Sequence, residues 1–342
     1  LPELADGVEL ALAFLLAVAL TTATVPAASA IAGRTGFLDS PAGYKAHRRA
    51  TPYLGGAAVL VAAAVPVLLL DDDLGRYWPL LLATLGMSAV GTIDDRLNLS
   101  PFLRVGTEIA AAWLLWSQDL GWSFLDSEVA NFLLTAFWVT GIVNAFNLMD
   151  NLDGAASSVS AVSAACVAAL ATIGDNPALA LIAAALCGAL VGFLRFNLAG
   201  PARIFLGDGG SMMIGMVLAG ALMAAPMGEL SGWPALMAAG LVVGLPAFDT
   251  TMVVLSRRRR GAPVFSGATD HTTHRLLPLL KTPRAVAAVL AAMQAGLCML
   301  AIEATRLGTE AAIALVCIAS LVGLLMVVTV DGPRWSPVSD DS

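Results

Sequence analysis

GIVNAFNLMDNLDGA, residues 141–155, follows directly on the apolar run FLLTAFWV of residues 132–139, and this junction decides how the chain is read. Asn144, Asn147, Asp150 and Asp153 recur every three residues. On an α-helix three residues turn about 300°, so such a row drifts by roughly 60° per step and keeps to one side. Two amides followed by two carboxylates at the end of a hydrophobic segment are costly near hydrocarbon, so a use for them is expected. The plainer alternative is a polar stop to a membrane helix, with Asn151 and Gly154 ending it.

Composition places that helix in a membrane protein. Of 342 residues, 58% are hydrophobic and 13% charged, with a mean hydropathy of +0.82. Soluble domains carry about 25% charged residues. Apolar blocks of spanning length recur throughout, at roughly 8–30, 54–70, 78–93, 103–118, 129–148, 156–173, 178–195, 211–226, 234–255, 284–304 and 309–330. The expectation is an all-α, polytopic integral membrane protein of about eleven transmembrane helices, forming one domain over 1–342 with a disordered tail at 331–342. The first block follows acidic residues rather than a basic leader, so it is expected to be a membrane helix and not a cleaved signal. Cys166, Cys187, Cys298 and Cys317 all sit in apolar runs and read as small packing residues.

Sorting the connections by parity orients the bundle. Sixteen of the eighteen Lys and Arg residues fall on one side; only Arg76 and Arg306 fall on the other. By the positive-inside rule the rich side is cytoplasmic. Every polar cluster with chemical promise lies on that same side. A transporter would place such groups near the midplane on broken helices of two related halves, whereas an enzyme working at the interface would place them as found here.

The first of these connections, GFLDSPAGYKAHRRATPYLGG (36–56), gathers Lys45, His47, Arg48 and Arg49 into a compact cationic group suited to a phosphate. In GTIDDRLNLSP (91–101), Asp94 and Asp95 leave an apolar helix together. Adjacent carboxylates there suit Mg²⁺ or proton abstraction, and their place at a helix C-terminus opposes the dipole. RIFLGDGGSMMIG (203–215) sets Asp208 in a turn whose backbone N–H groups could meet a diphosphate. The last connection holds Arg257 to Arg260, read as an orientation signal and a contact for anionic lipid. It also holds Asp270, His271, His274 and Arg275. Zinc is disfavoured for the two imidazoles, because there is no HExxH and no nearby thiolate; phosphate binding is the better reading.

Together, GTIDDRLNLSP, NAFNLMDNLDGAA (144–156), RIFLGDGGSMMIG and HTTHRL (271–276), preceded by PAGYKAHRRATPYLGG (41–56), resemble the polyprenyl-phosphate N-acetylhexosamine-1-phosphate transferase family, which includes the phospho-MurNAc-pentapeptide translocase. The resemblance implies ten or eleven membrane helices with an active site on the cytoplasmic face. It also implies a Mg²⁺-dependent transfer of sugar-1-phosphate from a UDP-N-acetylhexosamine to polyprenyl phosphate, with Mn²⁺ able to substitute. Asp94 and Asp95 are then the catalytic pair. Asp208, Asp150 and Asp95 would hold the metal. Asn144, Asn147, Asp150, Asp153, His271, His274 and Arg275 would bind the nucleotide sugar, and Lys45, His47, Arg48 and Arg104 the lipid phosphate.

Three departures bear on sugar choice rather than on activity. Asn151 stands where relatives commonly have Gly, Arg104 where Lys is usual, and Thr272 and Thr273 where imidazoles are frequent. HTTHRL resembles the N-acetylglucosamine branch, since the translocase branch has a His triplet followed by an acid. The expected setting is a bacterial plasma membrane, with the bilayer as partner, a homodimer as assembly and no nucleic acid. The pentapeptide translocase is the runner-up, and a membrane transporter the reading from another class.

Overall fold

In a computed structural model, residues 2–39, 50–71, 74–261, 263 and 270–330 are described, and among them the chain is almost wholly helical. The helices are α1 (Pro2–Thr35), α2 (Gly55–Leu70), α3 (Trp78–Leu97), α4 (Pro101–Ser117), α5 (Glu128–Met149), α6 (Ala155–Ile173) and α7 (Pro177–Asn197). After them come α8 (Asp208–Ala224), α9 (Gly232–Val242), α10 (Gly244–Arg260), α11 (Thr272–Leu280), α12 (Pro283–Leu307) and α13 (Thr309–Val330). Two short strands, β1 (Leu38–Asp39) and β2 (Thr51–Pro52), pair antiparallel with Leu38 opposite Pro52. They close the base of a connection whose cationic residues Lys45, His47, Arg48 and Arg49 lie outside the described residues, as does 331–342.

All eleven expected segments are helical, but the count of about eleven spans is not established. Six helices are long and apolar enough to cross a bilayer, seven if α9 and α10 are one broken span. Length and charge make the difference: α2 and α8 have 16 and 17 residues, and α3 and α4 carry Asp94, Asp95, Arg104 and Glu108. The segment expected at 234–255 is not one straight helix, since α9 and α10 meet at 83°. Pro246 in the first turn of α10 has no N–H to offer the preceding carbonyls. Gln294 donates to the carbonyls of Leu241 and Val242 at 3.4 and 2.7 Å, and Ser163 donates to Val242 at 2.7 Å. Side chains thus satisfy a backbone break that hydrocarbon could not.

Helix starts follow local chemistry. Ser100 caps α4 by accepting from the Leu103 N–H, with Pro101 at the first helical position; Asn176 and Thr282 do the same for α7 and α12. The interior is built on α6, α7 and α8, whose small residues are nearly all buried, while α13 lies at the periphery. A side chain at Gly91 would collide with the backbone of Asp208. That contact holds the acidic end of α3 against the start of α8, and small residues at such crossings are what allow it.

Candidate active site

The catalytic candidates meet where α3 and α5 end and α4 and α8 begin. Gly207, with φ of +75°, turns the chain into α8, and a Cβ there would lie 2.8 Å from a carboxylate oxygen of Asp95. Asp95 uses that space. Its two oxygens accept the N–H groups of Asp208 and Gly209 at 3.1 and 3.3 Å. The next two N–H groups of α8, from Gly210 and Ser211, return to the Gly207 carbonyl. The first three N–H groups of α8, which have no partner within the helix, are therefore occupied. This corrects the expectation that the GDGGS turn offers them to a diphosphate: a carboxylate from α3 reaches them first, favoured by the helix dipole.

Asp94 is buried and accepts the Leu99 N–H at 2.6 Å and Arg104 Nη1 at 2.8 Å. The same Nη1 lies 3.7 Å from Asp208 Oδ2, and Nη2 donates to Asn147 Oδ1 at 2.8 Å. Asn147 in turn donates to Asp208 Oδ1 at 2.8 Å and to Ser211 Oγ at 3.0 Å. Arg104, expected on the lipid phosphate, thus ties Asp94, Asn147 and Asp208 together.

The row at 144–153 does not stay on one helix side. The helix stops at Met149, Asp150 caps it, and Gly154 at φ of +79° starts α6. Asn144 donates at 2.7 Å to Glu108, a fully buried acid of α4. Asn147 faces Asp208, and Asp150 is close enough to the other acids to feel their charge. Burial, then Asp208, Asp95 and Asp153, push its carboxyl well above the usual carboxylate range. Asp153 lines a cleft of about 410 Å³ with Leu198, Pro201 and Arg284 among its walls.

The donor set fits a hard divalent cation in chemistry: carboxylate oxygens, no thiolate, and an excess of negative charge in one place. Among the described residues, no three His, Cys, Asp or Glu groups already stand in ligand positions. Asp95 is turned toward backbone N–H groups, and the free charge of the others is what a cation would draw on.

The second expected cluster divides. Thr273 of α11 hydrogen-bonds Asn151, which docks α11 on the turn bearing Asp150. His274 is half-buried, and burial, with His271 as its neighbour, lowers its pKa. Arg275 is buried, with Nε on the Asp270 carbonyl at 3.0 Å and Nη2 on Ser256 Oγ at 3.2 Å. Its guanidinium braces the loop, contrary to the expectation of a sugar-phosphate ligand. The arginine run departs from its reading in the same way: Arg257 forms a two-point pair with Asp270 at 2.9 and 2.7 Å, and Arg260 adds a third contact at 3.0 Å.

Comparison with known proteins places this geometry. A family model described as glycosyl transferase family 4 matches residues 77–225, which hold Asp94, Asp95, Asn147, Asp150 and Asp208. The decaprenyl-phosphate N-acetylglucosaminephosphotransferase of Mycolicibacterium smegmatis is 30% identical over 312 residues, 79% of this chain and 76% of that one. The chain belongs to glycosyl transferase family 4. Within that family it is also similar to the probable undecaprenyl-phosphate N-acetylglucosaminyl 1-phosphate transferase of Bacillus subtilis, 25% identical over 79% of this chain and 78% of that one. The corresponding Yersinia pestis undecaprenyl-phosphate transferase is 27% identical, covering 81% and 79%.

The part of the site built by α10 and α11 lies beyond the family match, and there the sequence reading passed over a residue. Asp249, on α10 inside the apolar run 234–255, is 1% exposed and contacts both His271 and the Thr272 N–H. Glu108, in the run 103–118, escaped notice in the same way. The available signal was simple: an acid within a membrane-length apolar run.

Proposed function

We propose that this glycosyl transferase family 4 protein transfers N-acetylglucosamine-1-phosphate from UDP-N-acetylglucosamine to polyprenyl phosphate, releasing UMP and leaving a lipid diphosphate sugar. One observation carries the reading. Asp94, Asp95, Arg104, Asn147 and Asp208, drawn from four helices, converge at one end of the bundle. The names of the relatives support the sugar and the lipid class. None of those three names points to the pentapeptide translocase.

In the reaction an oxygen of the lipid phosphate attacks the β-phosphorus, and the bond from that phosphorus to the bridging oxygen breaks. The bridging oxygen leaves on UMP. Two anions must meet, so repulsion is the main obstacle. A divalent cation such as Mg²⁺, held by Asp208 and Asp150 with Asp95 behind them, would offset that charge and polarise the transferred phosphoryl group. Arg104 supplies a fixed positive charge beside it. Asp94 holds Arg104, and Asn147 orients both Arg104 and Asp208. Asp95 locks α8 against α3, so the acids keep their spacing. Asn144, held by Glu108, and Asp153, at the cleft, flank the nucleotide side. The surplus of basic residues at this end supports a cytoplasmic setting, where nucleotide sugars are made, and the product would start a cell-envelope polymer.

The test is an assay of purified protein with polyprenyl phosphate, Mg²⁺ and either labelled UDP-N-acetylglucosamine or labelled UDP-MurNAc-pentapeptide. Label entering the lipid phase only from the first is expected. Turnover of the pentapeptide donor alone would sink the proposal.

A further inference from the structure

One face of α10 receives Asp270, His271, Thr272 and Arg275. Asp249, Ser256, Arg257 and Arg260 are spaced to share a side of the helix, and each holds a group of the incoming chain. Arg257 and Arg260 take Asp270, and Ser256 takes Arg275. Asp249 does two things at once. Its Oδ1 accepts the Thr272 N–H at 2.6 Å, and its Oδ2 lies 2.7 Å from Nδ1 of His271. Both partners are buried, with Asp249 at 1% and His271 at 6% exposure.

A carboxylate accepts only, so the short contact requires a proton on Nδ1. The other ring nitrogen is then the one left for chemistry. Among the described residues, Nε2 of His271 has no hydrogen-bond partner. The ring lies 6.1 Å from that of His274, on the helix that Asn151 ties to the Asp150 turn. The charged and titratable groups around His271 are Asp249 from α10, Asp270 beside it in sequence, His274 from α11, and Arg257 bound to Asp270.

We infer that Asp249 is a positioning residue: it holds His271 with a proton on Nδ1 and so presents the lone pair of Nε2, as an acceptor, to a hydroxyl or amide N–H of the nucleotide sugar. The inference rests on the transferase reading for the identity of that donor group. The tautomer itself does not depend on it. Orienting carboxylates of this kind act through the imidazole they hold, and their loss costs about 10- to 100-fold in activity.

The chain has three histidines, His47, His271 and His274, so ¹⁵N NMR of histidine-labelled protein in detergent resolves each ring, with His271→Gln giving the assignment. A protonated Nδ1 on His271 is expected in the unsubstituted protein. Asp249→Asn keeps an acceptor for the Thr272 N–H but can also donate to Nδ1. It should redistribute the His271 proton toward Nε2 and lower kcat about 10- to 100-fold, with KM for UDP-N-acetylglucosamine changing far less. Asp249→Glu should recover part of both signals. An unprotonated Nδ1 in the unsubstituted protein overturns the inference even if every variant fails to fold. So does an Asp249→Asn protein with unchanged kcat. Absence of UMP release from the unsubstituted protein overturns the transferase reading instead, and the spectrum, which needs no substrate, tells the two failures apart.

Discussion

Around the start of α8, the carboxylates of Asp94, Asp95, Asp150 and Asp208 gather about the guanidinium of Arg104. Around α10 and α11, the carboxylates of Asp249 and Asp270 meet Arg257, Arg260, Arg275 and His271. The first cluster carries an excess of negative charge and is partly open, with the Asp208 side chain 35% exposed. The second is closed and paired, its two carboxylates each 1% exposed. Buried charge persists only when paired or when it recruits an ion. The acidic half therefore suits the proposed cation, and the basic half is a scaffold whose remaining positive charge suits phosphate. They touch through Asn151 and Thr273, so a metal-bound diphosphate would lie between them.

The comparison breaks most sharply at Asp208. Asp208→Asn should lower UMP release about 100- to 1,000-fold at any Mg²⁺ concentration, because the amide cannot restore the lost ligand charge; near-normal turnover would take Asp208 off the metal. In the closed half, Arg257→Ala leaves the buried Asp270 with Arg260 alone and should cost about 1–3 kcal/mol of stability, seen as a lower unfolding midpoint in detergent. The pairing with Arg257 outweighs the effect of burial and keeps the Asp270 pKa below its usual value. An unchanged midpoint would mean the pair is not closed as described.

Asp150 sharpens the contrast through pH. Burial and the neighbouring acids raise its folded pKa above the ordinary 3.8. Between those two values the folded protein holds a proton that the unfolded chain does not, so the ionised group costs stability above the folded pKa and that cost fades as pH falls. In buffer free of divalent cations, Asp150→Asn should raise the midpoint at pH 8 by about 2–4 °C. The gain should shrink toward acid pH or on adding Mg²⁺. A midpoint that falls at pH 8 would remove the repulsion from the account. Smallest of all, Arg258→Ala should leave kcat within roughly twofold; a collapse would give the arginine run a part beyond the Arg257 and Arg260 pairs.

Much of the acidic half was legible in the sequence, because its motifs are short and each announces an acid or amide at the end of an apolar run. In the basic half, Arg257, Arg260 and Arg275 were misread. Four adjacent arginines look alike in a sequence, and nothing local tells Arg257, paired in the interior, from Arg258. The expected helical row at 144–153 failed because the helix stops at Met149 with Asp150 as its cap, so Asp153 falls in the turn before α6. The eleven apolar segments were found as helices, yet hydropathy alone could not foresee the break at Val243, which depends on Gln294 and Ser163 arriving to satisfy its carbonyls.

Local chemistry determined what kind of molecule this is. Hydropathy set the helices, the Lys and Arg bias gave the expected orientation, and residue type supplied the acids, amides and imidazoles. Tertiary structure decided who meets whom. Asn147 reaches Asp208 across 61 positions, Asp95 reaches α8 across 113 and Asn151 reaches Thr273 across 122. A hydrogen bond acts over about 3 Å and carries no trace of its partner along the chain, so only the packing of helices through residues such as Gly91 could select it.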